Sequence, residues 1–149
     1  MPIERKHLIL WQSFWKINIK NYLKRKEKKK MNKSRRKRIA VAIDNLERIT
    51  NYDSIESIKS EIEDILWEEE DAYDNMPENL QYSMRGEESN EAIDNLQEAV
   101  DKLDEAIDIL NDINDLNKED EDYETEKESK EEDINDYIND AISSLEDIY

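Results

Sequence analysis

The sequence has no cysteine, one histidine, one glycine and two prolines in 149 residues. Each shortage excludes something. Without cysteine there is no disulfide framework and no thiolate for metal or redox chemistry, which is compatible with a reducing compartment. The one histidine, His7, cannot supply the paired Glu-x-x-His motifs of a di-iron bundle. A lone glycine excludes a Gly-rich phosphate loop. An EF-hand loop needs a central glycine, and the acidic region 108–122 has none. Sheets need turns and turns use Gly and Pro, so the same scarcity points to helices. No apolar run approaches the roughly 18 residues needed to cross a bilayer.

What the chain has in abundance is charge. Charged residues make up 42% of it and the net charge is -18. Apolar residues, at 36%, are enough for helical stripes but thin for a thick core, which favours elongated or self-associating architectures. The charge is unevenly placed: residues 1–38 hold 15 Lys and Arg against 2 acids, and residues 39–149 hold 7 against 38. The body therefore repels nucleic acid and anionic membranes, and only the head attracts them.

Residues 1–30 combine an aromatic-rich apolar cluster, Leu8 to Trp11 with Phe14, Trp15, Ile17, Ile19, Tyr22 and Leu23, and a basic run from Lys24 to Lys30. As a basic amphipathic helix they would contact a membrane or partner, with Lys16, Lys20 and Lys24 on one face. A secretory signal places its positive charge before the apolar run, whereas here the heavier charge follows it. The third reading is a translated upstream region. Lys, Arg and Glu have all-purine codons, so KRKEKKK before Met31 is what a purine-rich ribosome-binding site would encode. The expectation adopted is a start at Met31, with membrane contact expected only if residues 1–30 are native.

The body reads as helices on either side of a corner at 74–86, DNMPENLQYSMRG, where Pro and Gly interrupt an otherwise helix-friendly chain. Ile39, Ile43, Leu46 and Ile49 form one apolar face. Thr50 to Ser54 are poorer helix formers, and Asp53 with Glu56 resembles a capping pair, which suggests a kink or short break there, a straight-through helix being the alternative. Ile55, Ile58, Ile62, Ile65 and Ala72 follow a heptad seam with Glu69 as its one polar member, ending near Asn75. PENLQ predicts one helical turn across the corner, and Gly86 a positive φ. EAIDNLQ, EAVDKLD and EAIDILN then repeat over 91–111. Ile93, Leu96, Val100, Leu103, Ile107 and Leu110 form its seam, flanked by Ala92, Ala99 and Ala106. AIDNL also occurs at 42–46. Residues 117–130 are predicted to be an acidic linker or frayed helix. Ile134, Ile138, Ala141, Ile142, Leu145 and Ile148 give a C-terminal helix over 131–149.

These patterns define an all-α class: an antiparallel hairpin or coiled coil over 31–116 with a third, C-terminal helix that could close a small bundle. No enzymatic activity, cofactor or metal is expected, because an acidic helix face is normally just solvated. A protein partner is expected, with Tyr73, Met76, Leu80, Gln81, Tyr82 and Arg85 at the corner as candidate contacts. A structural alternative has Tyr73, Met76 and Leu80 plugging the end of the hairpin. Arg35, Arg36, Lys37 and Arg38 either contact an acidic partner or nucleic acid, or offset the acidic body from within. The second is the reading adopted. Two further functions remain. One is nucleic-acid mimicry, since residues 87–115 carry 11 acids and 54–74 carry 9, a linear density near that of duplex phosphates at roughly 1.7 Å per charge. The other is a self-assembling, homo-oligomeric coiled coil.

MNKSRRKR at Met31, the DNMPENLQ corner with Arg85-Gly86, and AIDNL at Ala92 resemble a group of small uncharacterised acidic helical proteins of bacteriophages and Firmicute genomes. The resemblance covers about residues 31–116. It departs at Met84, where those proteins often have an acid before Arg-Gly, and it leaves out the tail. It implies a phage or prophage setting and a start at Met31, and no activity; the location expected of the chain is the cytoplasm of a bacterial host cell.

Overall fold

The structure, a computed structural model, describes residues 32–148. The expectations for residues 1–30 and for a start at Met31 lie outside the described residues. Within them the chain is all-α, with helices α1 (Lys33–Glu47), α2 (Ile55–Asp74), α3 (Glu78–Gln81), α4 (Met84–Asn114) and α5 (Tyr123–Glu146), and a 3-10 turn at Tyr52–Ser54. No helix among the described residues is long and apolar enough to cross a membrane.

Local chemistry sets the helix ends. The Asn32 side chain accepts from the Ser34 and Arg35 amides and so starts α1. The break at 48–54 falls where poor helix formers cluster, but its organiser is Asn51, not Asp53. Asn51 accepts from the Asp53 amide, its carbonyl accepts from the Ser54 hydroxyl, and α2 begins without a side-chain cap. Tyr52 then donates to Asn135 of α5 at 3.0 Å, pinning the turn to that helix.

The four long helices pack in a ring: α1 against α2, α2 against α4, α4 against α5, and α5 against α1. Cross-links fix their directions. Arg35 meets Glu69 and Arg38 meets Glu61, so α1 and α2 run antiparallel. Lys59 meets Asp104 while Ser89 meets Glu69, so α2 and α4 do as well. The hairpin expected from the sequence is thus enlarged: residues 33–47 form a helix of their own, and the C-terminal helix is the fourth long one. Ile39, Leu46, Ile55, Ile62, Ile65, Leu96, Leu103, Ile134 and Leu145 are fully buried at the centre.

Two expectations about α4 and α5 are corrected. Ala92, Ala99 and Ala106, expected to flank the α4 seam, are buried in it, whereas Ile93, Ile107 and Leu110 are only partly buried. Because α4 touches both α2 and α5, its apolar face is wider than a two-helix seam. Alanine at its centre lets both neighbours approach closely. The acidic linker is also shorter than expected. Helix α5 starts at Tyr123, within 117–130, and residues 115–122 make the connection. Glu124 and Glu126 lie in its first turn, where carboxylates favour the positive end of the helix dipole. Lys127 sits over the Tyr123 ring one turn away, at 6.0 Å.

Gly86 is the third correction. No glycine among the described residues has positive φ. Gly86 is instead buried in the first turn of α4, and a Cβ built on it would overlap the carbonyl oxygen of Gln81 and come within 2.7 Å of the Gln81 Cα. The glycine is therefore required by close approach of two backbones. Helix propensity alone would make Gly86→Ala stabilising by about 1 kcal/mol. The overlap predicts a loss of about 3 kcal/mol, at the top of the overpacking range. Urea unfolding reads the sign directly.

Candidate functional site

The polar member of the α2 seam, Glu69, is 2% exposed. A carboxylate taken out of water must be met by charge or by hydrogen bonds, and here both are supplied. Arg35 of α1 donates from Nε to Oε1 at 3.0 Å, and Ser89 of α4 donates to Oε2 at 2.5 Å. Ser89 is itself buried. One side chain thus links three helices. One turn further along α1, Arg38 donates to Glu61 at 3.0 Å and to Glu68 at 2.6 Å. These contacts give Arg35 and Arg38 an intramolecular role, holding the basic helix on the acidic body.

The hydrogen bond to Glu68, followed by that to Glu61, raises the Arg38 pKa above its ordinary value. Lys59 is likewise raised, first by its hydrogen bond to Asp104. Both cations stay charged at neutral pH. What the Lys59 pair adds to stability is complete below the ordinary lysine value of 10.5 and is lost as the pH rises through the higher value of the folded state.

The corner lies at the same end of the bundle as Glu69, and its candidate contacts divide into two groups. Tyr73, Met76, Leu80 and Gln81 are partly buried. The Gln81 side chain donates from Nε2 to the Tyr73 carbonyl at 3.0 Å, and Asn90 of α4 donates to the Tyr73 hydroxyl at 3.2 Å. Pro77 precedes the single turn of α3, and its carbonyl accepts from the Leu80 and Gln81 amides. These four residues build the corner. Tyr82 is 79% exposed and Arg85 is also exposed. Between them Met84, which the sequence reading did not include, is 70% exposed.

The candidate seams lie inside the molecule. Ile55, Ile58, Ile62, Ile65, Leu96, Val100 and Leu103 are buried in the common core, and Ile93, Ile107 and Leu110 pack against it. The seam offers a partner no open apolar stripe. Trp67 of α2 was also missed by the sequence reading and is 64% exposed. Its signal was available, since it falls outside the heptad seam that holds the α2 isoleucines. An open groove of about 650 Å³ runs between α1 and α5, with Leu46, Ile138 and Ile142 along it beside Asn135, Asn139 and Ser143. Among the described residues no group of three or more His, Asp or Glu side chains is placed to hold a metal ion.

No protein-family model, no curated protein and no solved structure matches the chain. The fold and the exposed residues therefore define the class on their own: an all-α antiparallel bundle with an acidic surface and an apolar, solvent-facing corner.

Removing the buried carboxylate leaves Arg35, 16% exposed, beside an apolar core. Glu69→Ala is expected to cost about 3 kcal/mol, the lower end for a broken buried pair because Arg35 keeps some access to water. Glu69→Gln retains acceptor and shape and is expected to cost less. A Glu69→Gln variant as stable as the wild type in urea unfolding would show that the charge is irrelevant.

Proposed function

We propose that this chain is a non-catalytic protein-binding factor that engages its partner through the corner, acting in a phage or prophage setting. The carrying observation is the pair Tyr82 and Met84, 79% and 70% exposed, beside exposed Arg85, on a corner where Tyr73, Met76 and Leu80 are partly buried. Tyrosine and arginine are among the side chains that most often dominate binding energy, and a rigid mount lowers the entropy lost on association. A polypeptide partner suits such a surface better than a small molecule, which needs a concave pocket. Assembly through the heptad seam is the weaker alternative, because those residues are already used within the chain.

The distribution of acids favours a second reading, charge mimicry of nucleic acid. Glu87, Glu91, Asp94, Glu98, Asp101, Glu105, Asp108 and Asp112 all lie exposed along α4, a helix of 31 residues and so about 46 Å long. A mimic would bind the cationic track of a nucleic-acid-binding protein.

The two readings separate in one experiment: capture from bacterial lysate with the full chain, followed by identification of the retained protein by mass. Under the proposal, combined Tyr82→Ala, Met84→Ser and Arg85→Ala substitutions abolish retention while circular dichroism is unchanged, and moderate salt leaves the wild-type complex intact. A retained protein that is displaced by duplex DNA, lost steeply with salt and indifferent to the corner variant would support mimicry instead.

A further inference from the structure

Trp67 stands on the outer face of α2, and no packing or hydrogen bond among the described residues accounts for it. Four side chains surround it one turn away in either direction, at the i±3 and i±4 positions that adjoin it on a helix surface: Glu63, Asp64, Glu70 and Asp71. Asp74 lies two turns on. This is the largest side-chain type, 64% exposed, in a setting where a short polar residue would cost the fold nothing.

The carboxylates around it differ from the others on α2. Glu61, Glu68 and Glu69 point toward α1 and are paired with Arg35 or Arg38. Among the described residues, Asp64, Glu70, Asp71 and Asp74 take part in no ion pair, and Glu63 has only the longer-range field of Lys59. Among the described residues, the charge facing α1 is neutralised by Arg35 and Arg38, and the charge around Trp67 has no such ion pair. An exposed indole inside a ring of unneutralised carboxylates has the form of an interface anchor with a polar rim. The rim selects cations, and the indole adds apolar area and a face over which guanidinium or ammonium groups settle favourably.

We propose that the Trp67 face of α2 is a second docking surface, whose occupant is a Lys- and Arg-rich segment of a partner protein carrying apolar side chains between its cations. A second copy of this chain fits poorly, because its matching face would bring the same carboxylates together. The anchor and rim residues of this surface, Trp67 with Glu63, Asp64, Glu70 and Asp71, are other than Tyr82, Met84 and Arg85, so each can be substituted without touching the other set. The proposal therefore stands or falls independently of binding at the corner.

The test is calorimetric titration of the full chain with three synthetic peptides of equal length: alternating Arg and Leu, all Arg, and alternating Glu and Leu. The Arg/Leu peptide is expected to bind most tightly and the Glu/Leu peptide not at all. Trp67→Ala should weaken the Arg/Leu peptide on the order of tenfold or more, as for an interface anchor, with Trp67→Phe retaining most of the affinity. Neutralising Glu63, Asp64, Glu70 and Asp71 to their amides should flatten the salt dependence of binding. Both tryptophan variants should keep the wild-type circular dichroism, since the side chain points away from the core. Equal affinity of wild type and Trp67→Ala for the Arg/Leu peptide would overturn the proposal, as would failure of the wild type to bind it. A wild-type dimer in sedimentation that Trp67→Ala converts to monomer would also overturn it, by making a second copy the occupant.

Discussion

A carboxylate buried at 2% exposure is tolerated only where its charge is answered, and Glu69 can be answered only if three helices are in register. Its two oxygens are met from different sides, by Arg35 of α1 and by Ser89 of α4. Sliding α1 by one turn would leave the carboxylate and the guanidinium apart, at a cost far above that of a misplaced aliphatic side chain. Apolar stripes specify that helices pack, and many registers bury similar areas. The polar cluster selects one of them. The same arrangement explains why the basic stretch at the start of α1 belongs to the fold: Arg35 and Arg38 neutralise the buried Glu69 and the surface carboxylates Glu61 and Glu68 of α2 that face α1.

The rest of the architecture follows from how α4 is shared. It has α2 on one side and α5 on the other, so its buried face must be broad and its centre small, which Ala92, Ala99 and Ala106 provide. The corner feeds α4 into this position only because Gly86 lets the first turn lie against the Gln81 backbone. Packing the corner so tightly buries part of Tyr73, Met76 and Leu80 and leaves Tyr82, Met84 and Arg85 outside. The candidate binding surface is a by-product of the same close approach that closes the bundle.

Helical class, the corner, the α2 seam and the C-terminal stripe were legible in the sequence, because period and punctuation are local properties. Ile55, Ile62 and Ile65 could be placed from spacing alone. What was not legible depends on neighbours. Spacing finds a seam for one partner helix, and α4 has two, so the alanines were set at its edge. A lone glycine after a proline turn suggests a positive φ, but the actual constraint is a carbonyl five residues earlier, which pattern does not reveal. Residues 117–130 lack aliphatic side chains and read as linker; the surface of α4 and the dipole-compatible acids of the first turn make helix from Tyr123. Among the corner residues the sequence could not separate builders from exposed ones, since Leu80 and Tyr82 differ only in which way the short α3 turns them.

The central claim is that Glu69 and Arg35 act as a unit that fixes α1 in register. A double-mutant cycle in urea unfolding, with Arg35→Gln, Glu69→Gln and the pair, measures this without assigning either residue a separate contribution. The account predicts a coupling of more than about 1.5 kcal/mol, the double variant being scarcely less stable than the worse single one. Effects that add to within about 0.5 kcal/mol would contradict it and reduce the pair to two residues that happen to lie side by side.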